Sequence, residues 1–200
     1  VSISPRERVR ELVLAGKLRP GDVCFSGYRR SFISRAIMWF TQSWISHSFL
    51  IKDISIHEDG SADCYVIEAG EFEVWMTTFD KYLGPDYKFE TYRPRVDVFS
   101  VFRALENSEQ YLGKMYGYLQ LVGFIPVLAW KWLTGKRIHN PFGQGQICSE
   151  LVLRYIKKLP VKGYDFLYVD TTSPMDIWNL MAKDHEQFMF ELKKDYDEAI

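Results

Sequence analysis

Strand-forming segments crowd the first half of this 200-residue chain, and helical patterns surround them rather than alternating with them. Val23-Cys24-Phe25 follows the turn chemistry of Arg19-Pro20-Gly21-Asp22. Residues 48–54, 64–69, 73–79, 87–92 and 96–99 continue a run of antiparallel strand candidates, with His57-Glu58-Asp59-Gly60-Ser61 as a hairpin-type connection. Apolar positions at helical spacing predict helices over 5–17, where Val9, Leu12 and Val13 form a stripe, and over 34–44, 108–118, 148–158 and 174–196. Ser173-Pro174 is the start signal of the last, and Ile177, Leu180, Met181, Phe188 and Leu192 form its expected inner face. Segregated strands and helices predict an α+β fold, a small antiparallel sheet packed against helices. No repeat, low-complexity tract or linker divides residues 1–200, so a single domain is expected.

Nearly half of the residues are apolar (47%), enough for one core of ordinary size. A formal charge of −1 and a pI near 6.5 give no overall attraction for nucleic acid. Cys24, Cys64 and Cys148 are odd in number and lack CxxC spacing, which disfavours a disulfide framework or a zinc site. Neither metal nor cofactor is expected. The charged, periodic opening of the chain does not read as a secretory signal, and a reducing cytoplasmic or phage-particle location is expected. The longest apolar run, 118–133, is short for a membrane span and broken by Gly123 and Pro126. With Phe124, Trp130 and Trp132, and with Lys131, Lys136 and Arg137 among and after them, it reads either as a buried helix or as a lip that contacts lipid.

Cys148 opens a helical pattern and shares a face with Leu151 and Val152, so its sulfur is directed inward. Unpaired amides at a helix start favour thiolate over thiol. The plain alternative is a small core residue, since free cysteines are commonly buried. His47 starts a strand with Phe49 and Ile51 on its own face, a fixed setting that suits a base. His57 in a turn, His139 in a loop and His185 beside Asp184 and Glu186 are weaker choices. A Cys–His pair needs a third group on the far imidazole nitrogen, and Glu68, inside the strand-like Tyr65-Val66-Ile67-Glu68-Ala69, is the choice. Strands joined by a short connection bring facing side chains within about 5 Å. A carboxylate in such a strand is either paired or on the solvent side. Arg29, Arg30 and Arg35 form a basic cluster, read as a solvated face or a contact for an acidic substrate.

The order His47, Glu68, Cys148 is the reverse of an ordinary papain-like enzyme. Gly21-Asp22-Val23-Cys24-Phe25, Trp44-Ile45-Ser46-His47-Ser48, Tyr65-Val66-Ile67-Glu68-Ala69, Gly113-Lys114-Met115-Tyr116-Gly117-Tyr118 and Cys148-Ser149-Glu150-Leu151-Val152 resemble the circularly permuted, YiiX-like branch of the NlpC-type papain-like cysteine hydrolases. Lecithin:retinol acyltransferase is a more distant likeness. The resemblance implies a partly closed sheet against which the Cys148 helix packs, with Cys148 as nucleophile, His47 as general base and Glu68 as its orienting group. It further implies attack on an amide, ester or thioester carbonyl through an acyl-enzyme. The Cys148 amide is the expected oxyanion donor, with Gly145 and Gln146 shaping the hole. Tyr116 and Tyr118 either line the cleft or pack, and Glu150 is read as a first-turn acid stabilised by the helix amides. The long aromatic stretch near 118–137 departs from the family pattern and reads as an insertion that selects the substrate.

Three functions follow as expectations. The first is a cysteine amidase or peptidase acting on a peptide, with a cell-wall muropeptide as first substrate. The second is a lipid-directed acyltransferase, thioesterase or acyl hydrolase using membrane contact through 118–133. The third is a catalytically silent interaction domain of the same fold.

Overall fold

The computed structural model describes residues 4–70, 73–114, 130, 133–135, 148–169 and 172–197. Helix α1 (Pro5–Leu14) starts where Ser4 and Glu7 form a reciprocal capping box with Pro5 at the first position. Strand β1 (Val23–Tyr28) leads to α2 (Phe32–Thr41), capped by the Ser31 hydroxyl. Then come β2 (His47–Ile56), β3 (Ala62–Ala69), β4 (Val74–Thr78), a 3-10 helix (Phe79–Leu83) and β5 (Tyr87–Pro94). Helices α3 (Val98–Glu109), α4 (Cys148–Ile156) and α5 (Pro174–Met181) precede a last strand, β6 (Phe188–Lys194).

The strands form one antiparallel sheet in the order β4-β3-β2-β1-β5-β6. Alternation along each strand sends successive side chains to opposite faces. Val23, Phe25, Leu50 and Ile67 join the core built with α3, α4 and α5. Cys24, Phe49, Ile51, Cys64 and Val66 join a second core with Val9 and Leu12 of α1 and with Phe79 and Tyr82 of the 3-10 helix. The sheet is thus covered on both faces, an α+β architecture as expected. It is open, ending at β4 and β6, rather than partly closed. Among the described residues no helix is long and apolar enough to cross a membrane.

Three sequence expectations are corrected. Residues 96–99 do not form a strand: the Asp97 carboxylate accepts from the Ser100 amide at 2.9 Å and starts α3, whose Val101, Ala104, Leu105 and Ser108 are buried at helical spacing. The helix expected at 108–118 therefore lies earlier and ends at Glu109, and positions 115–118 are outside the described residues. The helix expected over 174–196 stops at Met181. Phe188, Phe190 and Leu192 alternate with Met189, Glu191 and Lys193, and this period of two, paired to the free side of β5, prevails over the helical reading.

Two polar locks tie distant segments together. Arg93 of β5 donates through Nε and one terminal nitrogen to the two oxygens of fully buried Asp22, each at 2.8 Å, and through the other to Glu191 of β6 at 2.7 Å. The Lys194 ammonium is fully enclosed and donates to the carbonyls of Gly84 and Tyr87, at 3.0 and 2.7 Å. Both are ways of satisfying charges that would otherwise be costly to bury.

Candidate active site

Helix α4 is the central element on its side of the sheet. Every residue from Cys148 to Ile156 except Arg154 is buried, so its packing is more complete than the one-faced stripe expected from sequence. Leu151, Val152, Leu153 and Ile156 have no exposed surface, and the Tyr155 hydroxyl donates to the Gly21 carbonyl at 2.9 Å. This clamp fixes the last turn of α4 against the turn that enters β1.

His47 is the first residue of β2 and lies on the opposite face, stacked on Phe49 with ring centroids 5.8 Å apart. Phe49 stacks in turn on Tyr82 at 4.1 Å. The pairing of Leu50 with Ile67, carried one step on, sets Glu68 across from Phe49, and His47 reaches the carboxylate diagonally. His47 Nε2 lies 2.8 Å from Glu68 Oε2, which leaves Nδ1 for the sulfur. Cys148 belongs to one core and His47 and Glu68 to the other side of the sheet, so the pair meets at the open start of β2.

Electrostatics distinguish Cys148 from the other two cysteines. Burial pushes the Cys24 and Cys64 thiols well up. Burial opposes ionisation of Cys148 as well, yet a hydrogen bond from His47, its charge, and the amides of Ser48 and Ser149 outweigh it and lower this thiol below its ordinary value. For His47, burial pulls down, but hydrogen bonds and charge from Cys148 and Glu68 overcome it and raise the imidazole from 6.5 to about 9. Burial would raise Glu68, but the hydrogen bond and charge of His47 and the charge and hydrogen bond of Lys81 hold it well below the usual carboxylate range. The Cys148 and His47 shifts both run in the direction that favours thiolate and imidazolium.

Glu68 is 3% exposed, and its two oxygens accept from four donors. Oε2 takes His47 and the Tyr82 hydroxyl (2.5 Å), while Oε1 takes Trp75 Nε1 (3.1 Å) and the Lys81 ammonium. Burial and Glu68 keep Tyr82 protonated and thus a donor. Sequence reasoning missed Trp75, Lys81 and Tyr82. A buried carboxylate requires partners, and the Lys- and aromatic-bearing segment directly after β3 was the nearest supply.

The expected triad residues are therefore brought together. Tyr116, Tyr118, Gly145, Gln146 and His139 lie outside the described residues. Of the aromatic stretch, Trp130 and Leu133 are described and are exposed, not core residues. His57 bonds Asp63 at 2.9 Å, away from the site, and His185 sits in an exposed turn rather than on a helix. Glu150 is buried in the first turn of α4. In the basic cluster, Arg29 bridges Asp86 and Asp197 and Arg30 contacts Asp86. No group of three His, Cys, Asp or Glu among the described residues is placed to hold a metal. No protein-family model and no curated protein matches this chain.

Proposed function

We propose that this chain is a cysteine hydrolase of circularly permuted papain-like fold, with Cys148 as nucleophile, His47 as general base and acid, and Glu68 as the group that orients His47. The observation that carries the reading is the chain of contacts from Cys148 through His47 to Glu68, in which the one lowered thiol of the three meets a raised imidazole fixed on its far nitrogen at 2.8 Å.

The thiolate attacks a carbonyl carbon, and the Cys148 amide at the start of α4 stabilises the oxyanion. The intermediate collapses as the leaving amine takes the proton from His47. Water then gives a proton to neutral His47 as its oxygen attacks the thioester, and collapse of this second intermediate releases the acid and leaves thiolate and imidazolium for the next cycle. Glu68 holds one ring tautomer and stabilises the imidazolium throughout.

An amide is the proposed substrate bond and a muropeptide the first substrate to try. Purified protein is incubated with muropeptides and, separately, with acyl lipids, and cleavage and acylation of Cys148 are followed by mass spectrometry. Peptide cleavage abolished by Cys148→Ala is expected. Turnover of acyl lipids alone would replace the peptide assignment, and absence of turnover and of any Cys148 acylation would contradict the hydrolase reading.

A further inference from the structure

We propose that Lys81 is a positioning residue whose charge completes a neutral line of four groups, Cys148, His47, Glu68 and Lys81, and so disfavours an additional proton on the thiolate–imidazolium pair. The inference rests on the nucleophile reading above and adds to it a residue that touches neither the sulfur nor the imidazole in any contact found here.

The geometry is that of one carboxylate shared by two cations. His47 approaches Glu68 Oε2 from β2, and Lys81 approaches Oε1 from the 3-10 helix, its ammonium also 4.9 Å from the centre of the Tyr82 ring and 6.0 Å from that of Trp75. The imidazole meets Cys148 from α4, Glu68 from β3 and Phe49 of its own strand, and the carboxylate in turn meets Trp75 from β4 and Lys81 and Tyr82 from the 3-10 helix. Of these, Lys81 alone contributes a permanent positive charge near neutral pH.

Charge counting gives its role. With Lys81 present, the state with thiolate, imidazolium, carboxylate and ammonium sums to zero. Without it, that state carries −1 in a largely enclosed site, and neutrality returns only when the sulfur is protonated. Enclosed sites disfavour uncompensated charge, so loss of Lys81 favours an additional bound proton. A purely structural role, in which Lys81 only satisfies a Glu68 oxygen, predicts no such change in proton affinity.

The test is the pH dependence of Cys148 alkylation by iodoacetamide, read by peptide mass spectrometry. The first rise in rate reports loss of the Cys148 proton and the second, near 9, release of the His47 proton. Lys81→Met and Lys81→Gln are expected to move both steps alkaline by about half a unit to one unit, the low end for opposite charges at this range because the lysine is 35% exposed and screened. Lys81→Arg restores the parental profile. Steps unmoved in both neutral variants, with folding verified by circular dichroism, would overturn the proposal while leaving the nucleophile reading intact. A parent profile like that of an ordinary cysteine, unaffected by His47→Ala, would overturn both. Should Lys81→Met fail to fold, Lys81→Gln, which keeps a donor for Glu68, carries the test.

Discussion

At the scale of single residues, the site works by setting one buried thiol against two others in the same chain. Cys24 and Cys64 have lost water and gained nothing that favours ionisation, whereas Cys148 has gained a cation and two amides. Glu68→Gln removes a charge-assisted hydrogen bond worth about 1.5–3 kcal/mol and is expected to lower turnover about ten- to a hundredfold, with the fold kept. In the same variant the His47 proton, followed by NMR, leaves below the parental value of about 9, toward 6.5. The sign for stability follows. Because folded His47 holds its proton to about 9 against 6.5 when free, its contribution is complete below about pH 6.5 and disappears as the pH rises through 9. Cys148, His47 and Glu68 were legible in sequence because each type sits at a position with a defined direction. Lys81 and Tyr82 were not, because a short 3-10 turn returning them to Glu68 leaves no periodic mark, and Trp75 was not, because its place opposite Glu68 is set by the register of β3 with β4.

At the scale of elements, the decisive contact lies between the turn entering β1 and helix α4. Gly21 has φ +89°, and a Cβ there would stand 2.3 Å from Val101 Cγ1 and 2.8 Å from the Tyr155 hydroxyl. Gly21→Ala is therefore expected to cost about 2–4 kcal/mol through backbone strain and overpacking, seen as a lower midpoint in urea unfolding. The loosened Tyr155 contact would also reduce the alkylation rate of Cys148. Most strands were readable from their apolar alternation. The misread elements were those whose identity depends on one cap or one distant partner: Asp97 turned a strand candidate into α3, and the open side of β5 drew 188–194 out of an expected helix.

At the scale of the whole molecule, one sheet holds two cores, and the site lies where they meet at the start of β2. The Asp22–Arg93–Glu191 lock joins the start of β1 to the edge pair β5 and β6. Removing the cation leaves a buried carboxylate without compensation, so Arg93→Met is expected to destabilise the fold by about 3–5 kcal/mol, read as a fall in the thermal midpoint. It leaves the groups around Cys148 in place, and alkylation of the folded fraction is expected to be parental. This lock joins residues 71 and 98 positions apart in sequence, and such pairings have no local signature.

The central claim, that Cys148 is a thiolate because His47 makes it one, is tested most directly by the pH–rate profile of Cys148 alkylation in the parent and in His47→Ala. The account predicts reaction in the parent well below the pH at which an ordinary cysteine ionises, and a profile in His47→Ala displaced to that pH or above it. Superimposable profiles in the two proteins would contradict it.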